Sequence, residues 1–136
     1  MKALRRVNAC GARIGGVSET VLIVDDHAGF RRFARLLLEA GGLTVVGEVG
    51  DGGSAVETVR ELAPDLVVLD VLLPDMDGFV VAEQIAADNP RVRVVLTSSR
   101  EREELRARLE RSRARGFIPK AELSAERVIA VAGVRR

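Results

Sequence analysis

The sequence predicts a doubly wound α/β fold, a five-stranded parallel sheet with helices on both faces. Three observations carry that expectation. Short apolar runs alternate with longer helical stretches from residue 20 to 136, in the order of five βα units. The runs are apolar throughout rather than at every second position, as strands covered on both sides require. Polar residues gather at their ends, which leaves the strand interiors for a core that helices must close from both faces.

Each element follows in turn. TVLIVDD, 20–26, is a β-branched run ending in two acids, and Phe30, Phe33, Ala34 and Leu37 then recur at helical spacing. Gly41 and Gly42 stop that helix, and LTVVGEV, 43–49, is the second strand. A helix over Ser54 to Leu62 places Val56, Val59 and Ala63 on one face and ends at Pro64, whose ring cannot extend the preceding turn. LVVLD, 66–70, is the third strand, followed by a loop with Pro74 and Gly78 and a helix through Ile85. VRVVLT, 92–97, is the fourth. A long Arg/Glu helix with only Leu105 and Leu109 as large anchors precedes a short GFI strand, and a last helix starts near Ser124.

Composition narrows the function classes. A chain of 136 residues, 47% hydrophobic and 30% charged, suits one globular domain. Four Phe and no Trp or Tyr leave few stacking surfaces for single-stranded nucleic acid, and a net charge of +1 argues against a domain-wide electrostatic footprint for DNA or RNA. No apolar run approaches the roughly 18 residues that span a membrane. Cys10 has no partner for an internal disulfide, which is compatible with a reducing cytoplasm. Residues 1–19, MKALRRVNACGARIGGVSE, are basic and aperiodic and read as a flexible tail without a secretory core, so the domain is expected over 20–136.

The chemistry lies at the strand ends, where ligands bind in open parallel sheets. Asp25 and Asp26 end the first strand, Asp70 the third and Thr97 the fourth, while Lys120 lies just past the fifth. Three crowded carboxylates repel unless a cation joins them, and oxygen donors at this density suit a hard ion such as Mg²⁺. A carboxylate beside Mg²⁺, an ammonium and a hydroxyl can attack a phosphoryl donor and become an acyl phosphate. Lysine occurs only at positions 2 and 120, every other basic residue being arginine. A compact point charge fits between carboxylate and phosphoryl oxygens where a planar fork does not.

VLIVDD, LVVLDVLLPDMDG, VVLTSS and GFIPK occur in the order and spacing of a response regulator receiver domain, which residues 20–136 resemble. The resemblance implies a flavodoxin-like receiver fold and a phosphorylation-controlled switch in two-component signalling, phosphorelay included. It implies that Asp70 accepts phosphate from a sensor histidine kinase. Asp26, Asp70 and the backbone carbonyl of Leu72 would bind Mg²⁺, with Asp25 acting through water. Thr97 and Lys120 would grip the phosphoryl group, and Phe117 would change rotamer. The remodelled face of the fourth helix, fifth strand and fifth helix would bind a downstream protein or a second copy. The pattern is most like the subfamily whose members usually carry a helix-turn-helix output domain. With the chain ending at Arg136, a cytoplasmic stand-alone receiver with no separate enzymatic substrate, no nucleic-acid binding and no membrane contact is expected.

Other readings fit the residues less well. A phosphorylation-independent interaction module keeps the fold but leaves the complete acid set and Lys120 without a role. An Asp-nucleophile phosphohydrolase would carry a second acid at position 72, which is Leu. DMDG, 75–78, fails as a calcium loop because Leu73 and Gln84 stand where its first and twelfth ligands belong. Gly78 reads as a turn residue with backbone freedom, and His27 as a surface residue near the metal. The chain departs from the family in having Ala121, not Pro, after Lys120, with Pro119 before it.

Overall fold

The computed structural model describes residues 18–133. Five strands, β1 (Thr20–Val24), β2 (Thr44–Val49), β3 (Leu66–Asp70), β4 (Arg93–Ser98) and β5 (Gly116–Pro119), alternate with α1 (Ala28–Ala40), α2 (Gly52–Leu62), α3 (Gly78–Asp88), α4 (Arg102–Arg111) and α5 (Ala125–Ala132). A single 3₁₀ turn, Lys120–Glu122, links β5 to α5. All strand pairs are parallel, in the order β2-β1-β3-β4-β5. Strand order therefore reverses between β1 and β3, the crevice where such sheets take ligands.

The apolar runs are explained by alternation into two cores. Val21, Ile23, Val68, Val95 and Ile118 point to one face, packed with Ala34 and Leu38 of α1 and Val128 of α5. Leu22, Val67, Leu69, Leu96 and Phe117 point to the other, against Val56, Val59, Phe79, Ile85 and Leu105 of α2, α3 and α4. Because successive side chains face opposite sides and both sides are covered, no position in β3 is left for a solvated residue. Edge strand β2 is the exception, partly exposed and interrupted by a register shift against β1 that leaves Val46 unpaired.

Three expectations change. Phe33 is 52% exposed, because the buried stripe of α1 runs through Phe30, Ala34, Leu37 and Leu38. Ala63 does not lie on the inner face of α2 but forms its left-handed C-cap at φ 44°, exposed, one residue before Pro64. The Arg/Glu helix is shorter than its sequence suggests: it stops at Arg111, where Ser112 turns extended. Beyond it, Arg113 bonds Glu83 and Arg115 donates to the Ala132 carbonyl at 2.7 Å. The peptide bonds of the described residues are all trans, Ile118–Pro119 included, and Pro119 sits at the end of an edge strand where its missing N–H costs little.

One charge inside the sheet escaped the sequence pattern. Arg93 opens β4 with 2% exposure, its guanidinium 2.8 Å from Glu19 Oε1 and 2.6 Å from the Gly133 carbonyl oxygen. Ser18 Oγ donates to the Gly42 carbonyl at 2.7 Å, so the chain is tied to the sheet from Ser18 onward. The rest of the expected tail, with Cys10, lies outside the described residues.

Candidate functional site

Asp25 follows β1 and Asp70 ends β3, so the strand-order reversal sets them side by side at one rim. β4 runs in register with β3, pairing Asp70 with Thr97. Lys120 begins the turn after β5 and reaches back across the rim. Its Nζ lies 2.6 Å from Asp25 Oδ2 and 3.2 Å from Asp70 Oδ2, and 4.6 Å from the centre of the Phe30 ring. The lysine is thus bracketed by two carboxylates from adjacent strands, as a point charge permits.

Electrostatics at this rim are poised. Asp70 is 5% exposed, and burial pushes its pKa above the usual carboxylate range. The Leu72 N–H, donating to Oδ1 at 3.2 Å, and Lys120 pull it back, while Asp25 pushes it further up. Burial works against the charge on Lys120 too, but Asp25 and Asp70 together hold its pKa above the ordinary value. Asp25 is wholly buried. Its Oδ1 accepts the His27 N–H at 2.8 Å, whereas Lys120 meets Oδ2 as an ion pair off the hydrogen-bonding direction, leaving that oxygen without a directed donor. Thr97 Oγ1 is likewise buried without a hydrogen-bond partner.

Asp25, Asp26 and His27 each offer one ligand atom within 4.8 Å of the others. Oxygen donors of this kind suit a hard divalent cation, and the undirected Asp25 oxygen is where one would be satisfied. Asp70 is not in that tight group; its carboxylate is taken by Lys120 and the Leu72 N–H. His27 is an exposed residue capping α1 by position only, with no side-chain cap bond. Asp26, Asp70, Leu72, Ser98 and Lys120 line a cleft of about 210 Å³ above these groups. Phe117 stands apart from it, in the core beneath α4, with the Arg102 guanidinium 5.3 Å over its ring and bonded to its carbonyl at 3.2 Å.

Two contributors leave little signal in the sequence. Asp75 reaches from the β3–α3 loop to the first turn of α2, accepting from Gly52 N at 2.8 Å and Gly53 N at 3.0 Å. These bonds hold its carboxyl below the usual range. Arg31 is the other, and its signal was only its place one turn after the acids.

Residues 21–132 match the family model of the response regulator receiver domain. The chain belongs to that family. It is 34% identical over 112 residues to the response regulator GacA of Pseudomonas viridiflava, covering 82% of this chain and 52% of GacA. The chemotaxis protein CheY of Bacillus subtilis is 35% identical over 83 residues, covering 61% of this chain and 69% of CheY. Among solved structures, a chain of the CheX–CheY–BeF₃–Mg²⁺ complex from Borrelia burgdorferi superposes with a TM-score of 0.75 at 27% identity, covering 85% of this chain and 87% of that one. The receiver spans about half the length of the first curated relatives it matches. Receiver domains are signalling switches, and no helix among the described residues is long and apolar enough to cross a membrane.

Proposed function

We propose that this receiver is switched by phosphorylation of Asp70, supplied by a histidine kinase. The observation that carries the reading is Lys120 Nζ held between Asp25 and Asp70, with the undirected Thr97 hydroxyl one strand away. An Asp70 carboxylate oxygen bonds to phosphorus as the bond from phosphorus to the donor nitrogen or oxygen breaks, leaving an acyl phosphate. Asp25, Asp26, Asp70 and the Leu72 carbonyl would hold Mg²⁺, which supplies charge neutralisation for the phosphoryl oxygens when bound. Lys120 stabilises the same charge from the β5 side, and Thr97 donates its hydroxyl to a phosphoryl oxygen.

Withdrawal of Thr97 toward the phosphoryl group opens the space that Phe117 would enter. The change passes to α4, which is anchored chiefly by Leu105 and is therefore cheap to move. The α4–β5–α5 face then meets a downstream protein or a second copy, in the cytoplasm, with no direct nucleic-acid contact and no separate substrate to turn over. Borrelia CheY, crystallised with BeF₃ and Mg²⁺, supports the reading by its similarity.

Acetyl phosphate or phosphoramidate with Mg²⁺ is expected to add one phosphoryl group by intact mass, trapped by borohydride reduction as homoserine at position 70. No adduct, or an adduct mapped elsewhere, overturns the assignment. Lys120→Met is expected to slow adduct formation about 10²–10³-fold, as loss of one preorganised donor does, with Lys120→Arg failing to restore it. Leu72 is 64% exposed beside Asp70 and has no group that could orient water. Self-dephosphorylation is therefore expected to be slow, with a half-life of many minutes in purified protein with Mg²⁺; decay within seconds contradicts this expectation.

A further inference from the structure

Asp25 and Asp26 are adjacent in sequence but are fixed by different means. The Asp25 carboxylate is locked by the His27 N–H and Lys120. The Asp26 carboxylate is 42% exposed, and its one ion-pair partner among the described residues is His27 Nδ1, at 3.4 Å. Where Asp26 points is thus decided mainly by its backbone, and one side chain grips that backbone. Arg31 Nη1 donates at 2.6 Å to the carbonyl of Asp25, the oxygen of the peptide joining the two acids.

Arg31 is itself braced. Its side chain is only 21% exposed, and Nε lies 3.4 Å from Glu48 Oε1 on β2. Glu48 is held in turn by Arg35 Nε at 2.6 Å, and Arg35 by Glu39 at 3.2 Å. The Arg35 hydrogen bond keeps the Glu48 carboxyl below its usual range, so the brace stays ionised. Gly50 completes the seat: a Cβ there would stand 3.3 Å from Arg31 Nη1 and 3.9 Å from the Asp25 carbonyl oxygen. α1, β2 and the turn after β2 therefore converge on a single peptide plane.

We infer that Arg31 is a positioning residue: by holding the Asp25–Asp26 peptide it sets the direction from which the Asp26 carboxylate meets a divalent cation. The inference rests on the Mg²⁺ reading above and adds a residue to it. A second effect opposes it, because a guanidinium beside an acidic site repels a cation. The two effects give opposite signs, which makes the choice measurable. If repulsion dominates, removing Arg31 tightens Mg²⁺ binding. If positioning dominates, removal loosens it.

The test is calorimetric titration of Mg²⁺ into the unphosphorylated protein. Arg31→Ala is expected to weaken binding by about 10-fold, the scale on which groups that orient metal ligands act. Arg31→Lys, which retains one donor and the charge, should recover most of the loss. A merely structural role would not give that rescue at equal thermal midpoint. Unchanged or tighter binding by Arg31→Ala overturns the inference while leaving the Mg²⁺ reading intact. No Mg²⁺ binding by the wild type overturns both. Should Arg31→Ala not fold, Glu48→Gln decides: weaker Mg²⁺ binding upholds the brace, and an unaltered Kd refutes it.

Discussion

Asp70→Asn is expected to abolish the phosphoryl adduct and, in the same protein, to raise the thermal midpoint by a few degrees in the absence of Mg²⁺. Loss of the adduct follows because an amide oxygen is no nucleophile toward phosphorus, whereas a carboxylate is. The gain in stability follows from the folded-state pKa. Burial first, and then repulsion from Asp25, outweigh the Leu72 N–H and Lys120, so the ionised side chain is net unfavourable in the fold. With the folded pKa raised above the unfolded one, the favourable contribution of Asp70 is complete below the ordinary carboxylate range. It is lost as pH rises through the elevated folded value. Asparagine never ionises, so the variant's advantage should be absent in acid, grow through that window and level off at neutral pH. Denaturation midpoints across the pH range read it directly. A variant equal to or less stable than wild type at neutral pH would mean that the Lys120 pair more than compensates for burial.

A carboxylate placed where its charge is disfavoured, as Asp70 is, stands out in the sequence because everything around it is apolar. Strands and helices were legible because burial on both sheet faces writes itself as unbroken apolar runs, and Asp70, Asp25, Thr97 and Lys120 stood out against them. What could not be read depends on partners distant in sequence. Arg93 looks anomalous within VRVVLT until Glu19 and the end of α5 converge on it. Phe33 satisfies the helical period, yet the α1 stripe is narrower than the period allows, because β2 and α5 limit what the helix can cover. Arg31 and Arg32 are indistinguishable in the sequence, and the Asp25 carbonyl and Glu48 separate them only in the fold. A backbone acceptor leaves no trace in a string of side chains.

Gly78 carries the same lesson into a second large effect: Gly78→Ala is expected to cost about 3 kcal/mol of stability, at the upper end of overpacking, or roughly 10 °C in thermal midpoint. Helix propensity argues the other way, since alanine is better than glycine in a helix by about 1 kcal/mol and Gly78 opens α3. Nor does backbone freedom require glycine here, because the positive-φ glycines among the described residues are Gly42 and Gly133. The reason is close approach. A Cβ on Gly78 would meet the Asp70 carbonyl oxygen, and would stand 2.7 Å from Val71 Cα and 2.8 Å from the Val71 carbonyl oxygen. All three are backbone atoms at the end of β3, and none can rotate away. Gly52→Ala is the comparison: its Cβ would meet the flexible Met76 Sδ at 2.9 Å, but also Cγ2 of the buried, stiff Val81 at 2.9 Å and Met76 Cβ at 3.0 Å, so it costs stability too, though less, because none of these is a backbone atom. Relief at Gly78 instead requires β3 to shift, and with it Asp70, the proposed phosphoacceptor. Gly78→Ala should therefore also take up phosphoryl more slowly at temperatures where it remains folded. A variant as stable and as reactive as wild type would mean that the β3–α3 turn can move independently of Asp70.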